Sequence, residues 1–144
     1  FDPTDYDVPG SFGVLFTSRE FLDAHPTAVE DFMRATMRGL ADAIADPEGA
    51  PAVALELVEA NGNPNFLSAE GEAFRWQTDV ELLTTETPAG TGIGIPDVDL
   101  LQAEVEAYAE VGLFGDDGAP DITGRVDASI VDSVYDGTEV IWPS

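Results

Sequence analysis

The side chains that most often carry catalysis are scarce in this 144-residue chain. It holds one histidine, His25, and no cysteine. Catalytic triads and multi-histidine metal sites need several such groups, and disulfides, thiolate metal sites and thiol catalysis need cysteine. Because His25 directly precedes Pro26, we expect it to cap a helix or lie on the surface. The residues therefore predict no catalytic centre, no metal site and no cofactor.

Carboxylates are abundant, and two groups of them lie close enough in sequence to act as general acid and base. They are Asp2, Asp5 and Asp7, and Glu104, Glu106 and Glu110. The chain has 29 acidic residues, so a solvated acidic face is the more common role for such groups. We expect that role here.

Two glycine-rich stretches resemble ligand-binding motifs and fail on their spacing. Residues 92–95 (GIGI) lack the third glycine of a dinucleotide fingerprint and follow no strand. If Asp116 were the first ligand of an EF-hand calcium loop, the third and fifth positions would be Gly118 and Pro120, which offer no side-chain oxygen. The twelfth position would be Asp127 instead of the bidentate glutamate. We expect a flexible loop and a turn at these places.

The charge excludes further classes of partner. Five arginines stand against 29 acidic residues, which gives a formal net charge of −24. Such a chain repels nucleic acid and anionic membrane surfaces, which are bound through clustered Lys and Arg. No apolar run approaches the roughly 20 residues of a membrane span. A hydrophobic content of 44% indicates a folded chain, not a disordered one.

Helical signals dominate the remaining pattern. Caps and periodic apolar residues predict helices at about 18–24, 26–45, 51–60, 68–86, 97–111 and 126–135. The second of these has Val29, Phe32 and Met33 on its apolar face, and the fourth has Trp76, which we expect in the core. Phe12–Thr17 is the one good strand candidate. A lone strand leaves unpaired backbone groups on both edges, so its partners are expected outside this chain or in a second copy.

One family shares this order of motifs: the chain resembles substrate-binding proteins of ABC importers of the thiamine-pyrimidine-precursor and nitrate/sulfonate/taurine group. The resemblance covers most of the 144 residues, and it is strong over residues 6–48 and weak over 60–96. It rests on Tyr6, Val8 and Pro9 in a turn, Ser18, Glu20 and Phe21, then His25-Pro26-Thr27, Phe32, Arg34, Ala35 and Gly39, Asp46-Pro47-Glu48, and a late Val105, Tyr108 and Val111-Gly112-Leu113.

The resemblance implies an α/β fold, a periplasmic-binding-protein-like clamshell of type II. This chain would be its mostly helical C-terminal fragment. Residues 1–17 would form the return crossing, or hinge, with one strand, and residues 18–144 a helical part that packs on the first lobe. The upstream lobes would be absent from this chain.

The implied function is capture of a small solute, such as an aromatic heterocycle or a sulfonate, by hinge closure for an ABC transporter permease. Tyr6, Ser11 and Phe12 are the expected ligand-binding residues: the two aromatic rings would stack on or flank the ligand, and Ser11 would donate a hydrogen bond. From the residues alone, a core role for Tyr6 and Phe12 is the preferred interpretation, and the ligand-binding role comes from the resemblance. The resemblance also implies an extracytoplasmic location.

Two other functions stay open. The first is a pyrimidine-synthase-like enzyme of thiamine biosynthesis, which the lack of cysteine and the single histidine disfavour. The second is a structural helical module that assembles with another chain. Gly13 stands where pyrimidine-precursor binders often carry an acidic residue, so the resemblance does not specify a pyrimidine. We expect the fragment to self-associate or to require the upstream half of the same protein.

Overall fold

The computed structural model describes residues 13–62 and 68–142, and it is mostly helical within them. The helices are α1 (Arg19–Ala24), α2 (Pro26–Ala45), α3 (Gly49–Asn61), α4 (Ala69–Glu86), α5 (Val98–Glu110) and α6 (Ser129–Ser133). Two short strands, β1 (Tyr135–Asp136) and β2 (Glu139–Val140), pair antiparallel, with Tyr135 opposite Val140. A 3-10 turn spans Gly115–Asp117.

Three helices begin at the side-chain caps that the sequence predicts. The Ser18 hydroxyl accepts a hydrogen bond from the Phe21 amide at 3.1 Å, and the Ser68 hydroxyl accepts one from the Gly71 amide at 3.0 Å. The Asp97 carboxylate accepts from the Leu100 amide at 3.0 Å. Each bond satisfies an amide that has no partner within its helix. The N-terminal ends of these helices can therefore be predicted from the sequence.

The buried core lies between α2, α6 and the β-hairpin. Met37, Val131 and Val134 are its buried hydrophobic residues among those that the structure describes, and Val134 is 0% exposed. Met33, Ile95, Tyr135 and Val140 pack around them. Val134 lies in the segment predicted as the last helix, and Met37 is not among the residues expected on the apolar face of α2. Phe32, expected on the apolar face of α2, is 59% exposed.

The glycine-rich loop between α4 and α5 is packed against this core, not flexible as expected. The Tyr135 hydroxyl donates a hydrogen bond to the Ile93 carbonyl oxygen at 2.7 Å. A Cβ atom on Gly92 would lie 2.6 Å from the Tyr135 ring, so only glycine fits there. Gly94 has φ of +87°, and its Cα faces the Met37 sulfur. Gly92 and Gly94 allow the loop to approach Tyr135 and Met37 closely.

The predicted strand Phe12–Thr17 is not formed over its described part, because residues 13–17 have no regular secondary structure. An extended segment becomes a strand by pairing its backbone with a neighbour, and the one sheet in the described residues is the β1–β2 hairpin. The last helix is also shorter than predicted: α6 ends at Ser133, and the chain turns into the hairpin, closed by the Ile141 amide donating to the Val134 carbonyl.

Several large apolar side chains are exposed among the described residues. Phe16, Phe74 and Leu57 are 93%, 71% and 61% exposed. Their apolar surface is available for further contacts.

Candidate ligand-binding segment

The three residues predicted to contact a ligand, Tyr6, Ser11 and Phe12, lie outside the residues that the structure describes. Their assignment therefore stays a prediction. The described continuation of this segment, residues 13–17, is exposed throughout. Its most prominent side chain is Phe16, which is 93% exposed, and Val14 and Leu15 are exposed as well. Three consecutive large apolar side chains in water are costly, which favours a partner for this segment.

The α1–α2 corner holds this segment at its C-terminal end. Ser18 begins α1, and α1 packs against α2. His25 is both the last cap of α1 and the first cap of α2, with its amide donating to the Phe21 carbonyl at 2.8 Å. The Phe21 and His25 rings lie with their centroids 4.9 Å apart. This corner therefore sets the direction in which residues 13–17 leave the helices.

His25 has the surroundings of a surface residue. Its side chain is exposed and makes no capping hydrogen bond to α2. Its described ring contact is with Phe21, an apolar group that neither donates nor accepts a proton. This agrees with the expected helix-cap or surface position.

Two carboxylates of the 115–127 stretch, those of Asp121 and Asp127, accept hydrogen bonds in local turns. Asp121 accepts hydrogen bonds from the Thr123 hydroxyl at 2.6 Å and from the Thr123 amide at 2.9 Å, which lower the pKa of Asp121. Asp127 accepts from the Ser129 hydroxyl and amide in the same way, and its pKa is also lowered. Among the described residues, no group of three or more His, Asp or Glu side chains is placed to hold a metal ion.

The acidic group on α5 also has local partners. Glu104 accepts a hydrogen bond from the Tyr108 hydroxyl at 2.7 Å, which raises the pKa of Tyr108. Glu106 accepts a hydrogen bond from the Gln102 amide group at 3.3 Å. The Gln102 side chain also accepts from the Ile122 amide at 3.0 Å, so it joins α5 to the following loop. The other acidic group, Asp2, Asp5 and Asp7, lies outside the described residues.

A second exposed apolar surface lies on the α3–α4 pair. The two helices pack on each other, and neither contains a buried residue. Val53 and Leu57, four residues apart on one face of α3, are 59% and 61% exposed, and Phe74 on α4 is 71% exposed. Trp76, expected in the core, is half-buried, and its buried indole nitrogen has no hydrogen-bond partner in the structure.

Comparison with known families identifies the N-terminal part of the chain. Residues 1–50 match the family described as NMT1/THI5 like. The match covers 50 of the 144 residues. That family consists of ABC-importer substrate-binding proteins with a periplasmic-binding-protein fold. The resemblance read from residues 6–48 is thereby confirmed. The family also includes thiamine-synthase-like enzymes.

No curated protein and no solved structure matches the chain. Within the described residues, none of the helices has the length and apolar character needed to cross a membrane. The small sheet and the dominance of helix agree with a part of a larger α/β fold.

Proposed function

We propose that this chain is part of the substrate-binding component of an ABC importer and that it captures a small solute by hinge closure. The observation that carries the proposal is the family match over residues 1–50, which covers the turn, the strand candidate and the α1–α2 corner. Hinge closure uses binding energy to favour one of two lobe arrangements.

The exposed surfaces of the chain support a place in a larger clamshell. The apolar side chains of residues 13–17 and of α3–α4 are exposed in this chain. A sheet belonging to an upstream lobe would pair with residues 13–17 and give their backbone groups hydrogen-bond partners. We propose that the chain is the C-terminal part of the clamshell, with residues 1–17 as the return crossing and residues 18–144 packed on the first lobe.

Tyr6, Ser11 and Phe12 are the proposed ligand-binding residues. They precede an exposed, unpaired segment that is held at one end by the α1–α2 corner. Aromatic rings with a neighbouring hydroxyl suit a small planar heterocycle or a sulfonate, since such sites combine apolar walls with a few polar groups. The proposed location is extracytoplasmic, and the proposed macromolecular partner is the transporter permease.

Ligand titration of the full-length protein tests this function. Pyrimidines, flavins, sulfonates and nitrate are titrated by calorimetry, and we expect saturable binding of one class. Tyr6→Ala or Phe12→Ala should weaken that binding about tenfold or more, as loss of a central aromatic contact does. Tyr108→Ala on α5 is the matched control and should bind normally. Absence of binding across all four classes would contradict the proposal.

An enzymatic function has weaker support from the same residues. The NMT1/THI5-like family includes thiamine-synthase-like members, but this chain has no cysteine and its single histidine is exposed beside Phe21. Product formation that His25→Asn abolishes would favour the enzyme over the binding protein.

A further inference from the structure

The negative charge is unevenly distributed along the chain. Residues 39–124, named here the acidic segment, contain 18 acidic residues and one arginine, Arg75, which gives −17 of the total −24. The other four arginines lie outside it, in α1, α2 and the stretch before α6. The acidic segment includes α3, α4 and α5, and two of these helices, α3 and α5, contain no basic residue.

Few ion pairs offset this charge in the described acidic segment. At its start, Asp42 pairs with Arg38 at 3.2 Å within α2. The Arg75 guanidinium lies 2.7 Å from Glu72 and 3.8 Å from Asp79, both within α4. None of α3, α4 and α5 has a basic residue in its last turn, whereas Glu59, Glu86 and Glu110 lie at or near their C-terminal ends. A carboxylate at the negative end of the helix dipole is unfavourable. Acidic residues in the first turns of α4 and α5 are favoured by the dipole. The carboxylates farther along these helices and at their C-terminal ends repel one another without that compensation.

Burial does little to compensate for that repulsion. No residue of α3, α4 or α5 is buried, whereas α2 and α6 contribute Met37 and Val131 to the core. The mutual repulsion of surface carboxylates acts over a Debye length, about 10 Å at 0.1 M salt and about 3 Å at 1 M. Salt therefore changes the stability of folded helices most where the density of like charge is high and few side chains are buried.

We propose that ionic strength controls the folded order of α3, α4 and α5, and that salt stabilises these helices selectively by screening the acidic segment. The α2–α6–hairpin core is comparatively insensitive, because it has buried contacts and because Arg34 and Arg38 form ion pairs within α2. This inference does not depend on the identity of a ligand.

Hydrogen exchange of the full chain, read peptide by peptide, tests the proposal at about 0.1 M and about 1 M KCl. Protection of α3, α4 and α5 amides should rise about tenfold or more in the higher salt, and that of α6 and the hairpin much less. A Trp142→Phe variant provides an independent readout. It leaves Trp76 on α4 as the single tryptophan, and its emission should shift to shorter wavelength as salt is added.

Two controls separate screening from other effects of salt. The first control is a fourfold variant that removes exposed charge and should reduce the salt response: Glu56→Gln, Glu59→Gln, Glu81→Gln and Glu86→Gln. A second variant with Asp at the same four positions keeps the charge and should retain the salt response. Sucrose, which is excluded from protein surfaces without screening charge, should not reproduce the effect of KCl. Equal protection at both salt concentrations, an equal response in α6, a full response in the Gln variant, or an equal effect of sucrose would each overturn the proposal.

Discussion

The α2–α6–hairpin core and the α3–α4 pair show two ways in which helices of one chain are held. In the core, Met37, Val131 and Val134 are buried, and Tyr135 ties a glycine-rich loop to them. In the pair, two helices of 13 and 18 residues contact each other without burying a side chain. Long helices in water draw most of their stability from packing of an apolar face. The pair therefore depends on contacts that the described chain does not supply.

This difference matches the proposed function. A clamshell lobe is formed by chain segments that are distant in sequence, so a C-terminal part carries some contacts of its own and leaves others for the rest of the lobe. The core is the self-contained part. Residues 13–17 and the α3–α4 pair are the parts proposed to need an upstream lobe.

Truncating one valine in each region gives the largest contrast. Val134→Ala should lower the free energy of unfolding by about 2–3 kcal/mol, because it opens a cavity at a fully buried site. Val53→Ala, at an exposed position on α3, should change it by less than about 0.5 kcal/mol. Urea denaturation of the 144-residue chain measures both. Similar losses at the two positions would show that α3 is packed as firmly as α6.

Two glycines give the next contrast, with opposite signs. Gly92→Ala should destabilise the chain by about 1–3 kcal/mol, since the new methyl group would overlap the Tyr135 ring. Gly39→Ala, inside α2 with open space around its Cα, should stabilise it by about 0.5–1 kcal/mol through helix propensity. Thermal unfolding followed by circular dichroism measures these changes. A neutral Gly92→Ala would mean that the loop does not lie against Tyr135.

Removing single hydroxyl groups tests the same contact more finely. Tyr135→Phe loses the hydrogen bond to the Ile93 carbonyl and should cost about 1 kcal/mol, because that carbonyl is left without its partner. Tyr108→Phe loses an exposed bond to Glu104 within α5 and should cost much less. The same denaturation curves provide the comparison. Equal costs would argue against a special role for Tyr135.

The smallest expected effect is a pH dependence at Asp127, beside the core. Hydrogen bonds from the Ser129 hydroxyl and amide, with a smaller contribution from Arg19, hold the pKa of Asp127 below its ordinary value. A carboxylate with a lowered folded-state pKa stabilises the fold at neutral pH, and that contribution is lost as the pH falls through the folded pKa. Asp127→Asn should therefore be less stable than the parent at neutral pH, and the difference should shrink in acid.

A double-mutant cycle checks the cause. Ser129→Ala should reproduce much of the loss, and the two substitutions combined should cost less than their separate effects added together. Strict additivity, or a difference that persists unchanged in acid, would remove Ser129 as the origin of the shift.

What the sequence predicts well in this chain is local. The starts of α1, α4 and α5 follow from Ser18, Ser68 and Asp97, because a cap bonds an amide three residues away. The fit of Gly92 against Tyr135 joins residues 43 positions apart, and no local pattern reveals it. The expectation of a flexible loop at residues 92–95 was wrong because this contact joins residues distant in sequence. The burial of Met37 also depends on residues distant in sequence, so the pattern of α2 did not predict it.

The predicted strand illustrates the opposite case. Residues 13–17 have strand-forming composition, but a strand exists through its neighbours, and the described residues supply none. The family resemblance was predictable because it rests on a run of motifs over residues 6–48, which lie within the segment 1–50 that matches the family. The ligand residues Tyr6, Ser11 and Phe12 lie outside the described part and remain predictions.

Sedimentation velocity of the 144-residue chain tests the central claim most directly, namely that this chain carries apolar surface meant for further protein. At about 1 M salt, where charge repulsion is screened, the chain should self-associate, with a sedimentation coefficient that rises with concentration. A single monomeric species that unfolds cooperatively, with α3 and α4 included in the transition, would contradict the account.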